Sequence, residues 1–388
     1  MLWISAEENG LDTKENRSFD AVVVGAGIVG AACAKELAEA GLRVAICEQN
    51  GYAGGGATAA GMGHLAVMDD SDAQFALTSY SQSLWRELAQ ELPAEAEYLA
   101  CGALWVAADE EELREVERKF RFYQNRNIPA EILDGKQLAE AEPNLRAGLA
   151  GGLLLTADSV CYPPCAAGYL TKRAVATGGN IFFGKKVTEV SESGVRLEDN
   201  TFLTAGLTVI ATGAAAVRLA PEIDVHPRKG HLAITDRYPG FVRHQLIELG
   251  YLKNAHSTTA DSVAFNVQPR VTGQILIGSS RQFGVEDAVA EGPMLSNMLA
   301  RAIEYMPAIA DLSTIRVWTG FRAATPDNLP LIGARPGYRR IYLATGHEGL
   351  GISTSLATAS LLADEILGRD SAIPRSPYEP SRSFAVHA

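Results

Sequence analysis

Cysteine is scarce: the 388 residues include five, Cys33, Cys47, Cys101, Cys161 and Cys165, and none stands in a CxxC pair. That spacing argues against a zinc or dithiol motif and leaves reduced thiols as the expected state. Cys161 and Cys165 frame Tyr162, Pro163 and Pro164 in a CxxxC arrangement that suits packing or a loop better than a metal. Positive charge is also short, with 34 Lys and Arg against 46 Asp and Glu and a formal net charge of −12. A surface of that sign repels phosphate backbones and anionic lipid, and no local basic patch offsets it, so neither nucleic acid nor a membrane surface is an expected partner. Long apolar runs are missing as well. The longest, from Ala21 to Ala34, is punctuated by glycine and stops at Lys35, short of a bilayer span. The opening residues lack a basic stretch followed by an apolar one, so no signal peptide is expected and the cytoplasm is the expected compartment. Small-molecule chemistry is what these absences leave.

With 47% hydrophobic and 21% charged residues, the composition is that of an ordinary globular protein. At roughly 100 to 200 residues per domain, the length allows two or three units. Residues 1–18 read as a polar arm. FDAVVV is a buried-strand run, and GAGIVGAACAKELAEAG continues as a turn and a helix whose apolar face is Ile28, Val29, Ala32, Cys33 and Leu37. Gly41 stops it, and LRVAICE is a second strand, giving a right-handed βαβ unit. Asp69 to Leu92 has a helical pattern. In DEEELREVERKFRFY, Leu113, Val116 and Phe120 form one face, and the charges read as a solvated face. LTVIATGAAA returns to a buried strand ending at Thr212 and Gly213. From Arg228 to about Ile315 the texture changes to alternating strands, HLAITD, VAFNVQPR and GQILIGSS, followed by a helix near Leu295 to Tyr305, which marks a second domain.

Gly25, Gly27 and Gly30 form GxGxxG between a strand and a helix, with Glu48 at the tip of the following strand. The first glycine permits the tight turn, the second lets backbone approach a diphosphate, and the third lets helix pack on sheet. The helix N-terminus faces the phosphates, while Glu48 suits ribose hydroxyls and disfavours a 2′-phosphate. A second glycine-rich loop, GYAGGGATAAGMGHL, exceeds what a nicotinamide cofactor requires. Near the other end, Gly346, Gly349 and Gly351 precede an apolar helix that Ser353 or Thr354 would cap. Such a helix end favours the negative charge of a reduced flavin.

GAGIVG with Glu48, AAGMG at 59–63, ATG at 211–213, GFRAATPDNLPLIG at 320–333 and GHEGLGIS at 346–353 together resemble the D-amino acid oxidase superfamily. The resemblance covers about residues 19 to 370 and is greatest to its glycine oxidase / D-hydroxyproline dehydrogenase-like branch, whose members also act on opines and iminodiacetate-like secondary amines. It implies FAD and an α/β fold: a Rossmann-like FAD-binding domain of the GR2 type plus a substrate domain on a mainly antiparallel sheet. The implied FAD domain is discontinuous, at 19–84, 148–222 and 316–372. The substrate domain takes 85–147 and 223–315, leaving 373–388 as a tail. The implied cofactor residues begin with Gly25, Gly27, Ile28, Val29 and Gly30, joined by Glu48 and Gln49. The next loop supplies Thr58, Ala59, Ala60, Gly61, Met62 and Gly63. Val187 meets the adenine through its backbone, and Ala211, Thr212 and Gly213 follow. At the flavin end stand Gly346, His347, Gly349, Leu350, Gly351 and Ile352.

Arg322 is the only charge in VWTGFRAATP, so it is expected to be buried and to need a carboxylate that the neighbouring sequence does not provide. A substrate carboxylate held bidentately satisfies that need, and the resemblance places Arg322 at the family's carboxylate clamp; an ion pair with a distant acid is the other reading. Arg281 is a second candidate anchor or a surface strand end. His64 and His347 are candidates to approach the flavin, or satisfied structural hydrogen-bonders. Relatives with covalent flavin carry a cysteine where this chain has Gly320, so non-covalent FAD is expected. Leu276 stands where sarcosine oxidases place a lysine, and Phe265 or Asn266 is the expected pocket residue. The expected activity is oxidation of the C–N bond of a small D-amino or secondary amino acid, such as cis-4-hydroxy-D-proline, glycine, sarcosine or an iminodiacetate-like compound. The electron acceptor is O2 or a protein or quinone. A flavoprotein subunit of a larger dehydrogenase, in a homo- or hetero-oligomer, is the alternative.

Overall fold

The computed structural model describes residues 18–250 and 261–382. The polar arm expected at the N-terminus therefore lies, except for Ser18, outside the described residues.

Two eight-stranded sheets organise the described residues. The first has the order β17 (Leu331–Ala334), β18 (Ile341–Thr345), β11 (Phe202–Ile210), β1 (Ser18–Val24), β2 (Val44–Glu48) and β8 (Asn180–Phe183), with β9 (Val187–Ser191) and β10 (Gly194–Leu197) attached to β11. From β18 to β8 every pairing is parallel. β1 joins β2 through α1 (Ile28–Glu39), the expected βαβ unit. Alternation along β1 and β2 divides the packing. Ala21, Val23, Val44 and Ile46 bury against α1, α3 (Asp72–Leu88), α6 (Pro163–Ala176) and α8 (Gly351–Leu367), while Val22, Val24, Ala45 and Cys47 bury against β9 and β10. A strand covered on both faces must be apolar throughout, which is why FDAVVV reads as an unbroken run.

The second sheet is ordered β16 (Thr314–Ala324), β12 (His226–Thr235), β15 (Ile275–Arg281), β14 (Ser262–Pro269), β13 (Gln245–Glu248), β4 (Ala103–Ala107), β6 (Gly151–Leu155) and β5 (Ala130–Asp134). All its pairings are antiparallel except that of β13 with β4. One face packs on α7 (Gly292–Tyr305), where Phe265 stacks on Tyr305 at 4.6 Å between ring centroids. β3 (His64–Leu65) and β7 (Ser159–Val160) form a small ribbon, and α2 (Ala57–Ala60), α4 (Glu110–Gln124) and α5 (Gly135–Ala141) complete the elements used below.

Three expectations need correction. β6 and β16 pair within the second sheet, although the boundaries drawn at 148 and 316 put them with the first. The charged helix α4 is not solvated throughout. Glu112 and Lys119 are buried, Glu112 accepting from the Ala108 N–H at 2.7 Å and Lys119 paired with Asp69. The tail is not separate either: Tyr378 is buried and donates to the Ala73 carbonyl, and Arg382 makes a two-point contact with Asp327 at 2.8 and 2.9 Å.

Candidate active site

A cavity of about 920 Å³ opens between the two sheets, at the upper end of the roughly 300–1,000 Å³ of ligand sites. Most residues singled out from the sequence line it, from Gly25, Gly27, Ile28 and Val29 to Glu48, Gln49 and Thr58. Ala60, Gly61, Met62, Gly63, Val187, Ala211, Thr212 and Gly213 line it too, as do His347, Gly349, Leu350, Gly351 and Ile352. His64, Arg281 and Arg322 complete the set. Three candidates do not line it. Gly30 packs against the Gly25 carbonyl, Ala59 is exposed, and Gly346 lies against Thr325, whose Cγ2 would be 2.6 Å from an added Cβ.

The first turn is shaped for a backbone-lined cradle. Gly25 has φ +102°, and a Cβ there would sit 2.7 Å from the Ala211 carbonyl oxygen, so both conformation and space demand glycine. Behind it, the buried Glu48 carboxylate accepts from the Ala26 N–H at 2.8 Å and from both the backbone and side-chain N–H groups of Asn50 at 2.8 Å. Thr58 Oγ1 accepts from the Ile28 N–H at 3.0 Å. This links the second glycine-rich loop to the start of α1.

The two ends of the chain meet at the far wall. A Cβ on Gly351 would be 3.7 Å from Val29 Cγ2, and Ser353 Oγ donates to the His64 carbonyl at 2.8 Å while accepting from the Ala66 N–H at 3.3 Å. Ser353 is thus committed to β3, and Thr354 Oγ1 donates back to the Leu350 carbonyl at 2.8 Å. Neither caps α8, contrary to expectation, and among the described residues no side chain does. The positive end of an eleven-buried-residue helix is therefore presented to the cavity through Leu350, Gly351 and Ile352.

Both histidines are held neutral. Burial lowers His347 to about 4, and its Nε2 pairs with Thr358 Oγ1 at 3.0 Å, which anchors it to α8. Burial lowers His64 to about 3, and its Nε2 has no hydrogen-bond partner among the described residues. Thr212 Oγ1 is orphaned in the same way. Buried polar atoms left open at a cavity wall are what a bound polar group would satisfy.

Arg322 is half-buried on β16, where its Nη1 donates to the Ser280 carbonyl at 2.9 Å. It lies between glycines: a Cβ on Gly230 would come within 2.6 Å of Nη1, and one on Gly349 within 3.2 Å of Nε. Ser280 is itself held by His231, which the sequence reading passed over. His231 Nε2 accepts from the Glu291 N–H at 3.0 Å, so Nδ1 carries the hydrogen and donates to Ser280 Oγ at 2.9 Å. Arg228, the direct cross-strand partner of Arg322, also went unnoticed. The late loop brings in Glu348, buried at φ +40°, with Oε1 3.1 Å from Arg228 Nη1 and 3.7 Å from Arg281 Nε. Arg228, Arg281 and Arg322 thus share one neighbourhood with Glu348. Nothing in the sequence signalled the partners of Glu348.

Gly320 faces the cavity with Ala60 against it, so a side chain at 320 would collide with Ala60. Leu276 packs with Met62, Leu232 and Ile234. Both pocket candidates line the cavity: Asn266 is paired with Ile247 and shares its face, and Phe265 also stacks on Tyr305 of α7.

A parallel α/β sheet with a glycine turn at a helix start, roofed by an antiparallel sheet that carries a clustered guanidinium, defines a dinucleotide-dependent enzyme. The profile of the FAD dependent oxidoreductase family DAO matches residues 20–365, and the chain belongs to that family. It is 29% identical to the glycine oxidase of Geobacillus kaustophilus over 94% of this chain and 97% of that one. It is 27% identical to the hydrogen cyanide synthase subunit HcnC of Pseudomonas aeruginosa, over 89% and 92% respectively. The crystal structure of the Geobacillus kaustophilus glycine oxidase superposes with a TM-score of 0.85 at 27% identity, covering 95% of this chain and all of the other. The protein is an FAD-dependent enzyme. The cradle at Gly25, the open end of α8 and the orphaned atoms of His64 and Thr212 fit that cofactor. Among the described residues there is no metal cluster and no helix long and apolar enough to cross a membrane.

Proposed function

We propose that the chain oxidises the C–N bond of a small D-amino or secondary amino acid to an imine, using FAD held without a covalent link. The observation that carries this reading is the placement of Arg322: a planar guanidinium between Gly230 and Gly349, on the wall of the same cavity as the α1 and α8 N-termini. A guanidinium in such a place suits a planar carboxylate, which it can hold through two parallel N–H bonds.

FAD, when bound, accepts the hydride equivalent leaving the substrate α-carbon. The α1 turn and Glu48 would hold its dinucleotide end, Val187 the adenine, and residues 347–352 its redox-active end. The chain's own work is then binding and orientation. Arg322 fixes the carboxylate, Ser280 and His231 fix Arg322, and the uncapped α8 end favours negative charge where electrons arrive. Neutral His64 and His347 add no cation that would repel an approaching amine. The crowding of Gly320 by Ala60 supports a non-covalent cofactor.

Glycine, sarcosine, cis-4-hydroxy-D-proline and iminodiacetate-like compounds are the candidate substrates. The similarity to glycine oxidases supports this set. A second reading follows from the relative named as a subunit of hydrogen cyanide synthase: this chain as a flavoprotein subunit that passes electrons to a partner protein or quinone. One experiment addresses both. Purified yellow protein is mixed anaerobically with each candidate, and flavin bleaching is followed by admission of O2. Bleaching by at least one candidate is expected, and bleaching by none contradicts the proposal. Rapid reoxidation marks an oxidase, while turnover only with an artificial dye favours the subunit reading.

A further inference from the structure

The late glycine turn carries an acid to which the proposed reaction gives no task. Glu348 is 8% exposed and stands at φ +40°, a conformation that residues other than glycine seldom adopt. Strain of this kind gathers at ligand clamps, where the surrounding structure fixes it. Here the Glu348 N–H donates to the Ala323 carbonyl at 2.8 Å, and His347 and Ala324 beside them form an antiparallel bridge. Glu348 is therefore tied to β16, the strand that carries Arg322. It also precedes Gly349, whose added Cβ would lie 3.2 Å from Arg322 Nε, and consecutive Cα atoms are only about 3.8 Å apart. The acid thus sits one residue step from a point in contact with the clamp, within the span of a small amino acid held there.

The Glu348 carboxylate serves two arginines at once. Its Oε1 lies 3.1 Å from Arg228 Nη1 and 3.7 Å from Arg281 Nε. Arg228, the cross-strand partner of Arg322, also donates to Asn328 Oδ1 at 3.3 Å and does not line the cavity, whereas Arg281, Glu348 and Arg322 do. Guanidinium groups favour carboxylates. Beside the clamp, the chain has therefore filled with its own side chain the place that a second substrate carboxylate would take. An amino acid with one carboxylate, held by Arg322, brings no further negative charge to this spot. A dicarboxylate sets its second charge against Glu348 or must displace it from both arginines. Like-charge contact of this sort rejects one ligand without adding any contact to the other.

We infer that Glu348 is a built-in second carboxylate that restricts the site to amino acids carrying a single carboxylate and excludes iminodiacetate-like ones. The inference rests on the amino-acid reading above, with Arg322 as its clamp. Two matched pairs test it, sarcosine against iminodiacetate and D-alanine against D-aspartate; within each, one carboxylate replaces a hydrogen. The second-order rate constant of anaerobic flavin reduction is measured with the holoenzyme, and the ratio within a pair is the readout, which cancels any general loss of activity. The parent is expected to favour the monocarboxylate by about 10-fold or more. Glu348→Gln keeps the shape and removes the charge. It is expected to move the ratio toward the dicarboxylate by on the order of 10²-fold, the effect of one unit charge a few ångströms away at the effective dielectric of a protein site. Arg228→Gln removes the nearer counter-ion of Glu348 and moves the ratio the other way, which carries the test should the first variant fold poorly. A glutamate that only balanced the arginines would, when replaced, lower Tm and leave the ratio where it was. If other amino acids alone reduce the flavin, inhibition of that reduction by propionate and by succinate, which differ in the same way, supplies the ratio. A parent that accepts both members of each pair equally, a ratio moved by under about 3-fold in Glu348→Gln, or one moved toward the dicarboxylate by Arg228→Gln overturns the inference alone. Reduction by no amino acid at all overturns the amino-acid reading and the inference with it.

Discussion

A Cβ on Gly349 would lie 3.2 Å from both Nε and Cδ of Arg322, so the late glycine turn and the guanidinium are built against each other. Gly349 also has φ +84°, which any other L residue adopts only with strain. Gly349→Ala is therefore expected to push Arg322 from its position. Assayed with FAD added to saturation, the variant should show a KM for the amino-acid substrate raised by about 10-fold. Steady-state kinetics on flavin-replete protein checks this, and an unchanged KM would separate the turn from substrate binding.

Gly25→Ala addresses the opposite end of the cavity. The added methyl would stand 2.7 Å from the Ala211 carbonyl oxygen at a backbone φ of +102°. The β1–α1 turn cannot give without moving β11, so loss of bound flavin is expected. The ratio of flavin to protein absorbance after gel filtration should fall by more than about half, a loss of only a few tenths of a kcal/mol in binding being enough under subsaturating flavin.

Asp158 gives the stability a pH dependence unrelated to the active site. Burial raises its carboxyl from 3.8 to about 8, while one oxygen accepts from the Val67 N–H at 3.2 Å and from Gln82 Nε2 at 2.7 Å. The folded state thus keeps a proton that the unfolded chain releases. Its stability contribution is complete below the unfolded pKa near 3.8 and is lost as pH rises toward 8. Asp158→Asn keeps the accepting oxygen and cannot ionise. It is expected to be more stable than the parent by a few kcal/mol, on the order of 2, at pH 8 and nearly equal to it at pH 4, as denaturant titrations at the two pH values would report.

Much of this was readable in the residues, for reasons that differ along the chain. The βαβ unit was legible because GxGxxG and an unbroken apolar strand are local signals whose meaning does not depend on distant partners. The convergence of 25–30 with 346–353 rested on the glycine pattern of both ends, and the packing of Gly351 on Val29 realises it. Pairing across long separations was not legible. Arg228 faces Arg322 only because β12 and β16 are neighbours, and β6 joins the second sheet because β4 does. Lys119 looked solvated because its helix is crowded with charge, and its partner Asp69 lies fifty residues earlier. His231 carries no motif at all; its role appears only once Ser280 and Glu291 are placed beside it.

Arg382 ties the last described residues to the cavity wall through Asp327, with both side chains 10% exposed. Arg382→Ala strands a mostly buried carboxylate, which costs about 1–3 kcal/mol. A Tm lowered by several degrees and faster proteolysis between residues 370 and 382 are expected, with the flavin spectrum retained.

Arg322→Lys bears most directly on the central claim that Arg322 clamps a substrate carboxylate beside the flavin. The lysine keeps the charge and loses the planar two-point contact. The variant, still yellow, is titrated anaerobically with a substrate that bleaches the parent enzyme. A bleaching rate that half-saturates at a substrate concentration higher by about 10²-fold is the expected result, and half-saturation at the parent's concentration would contradict the account.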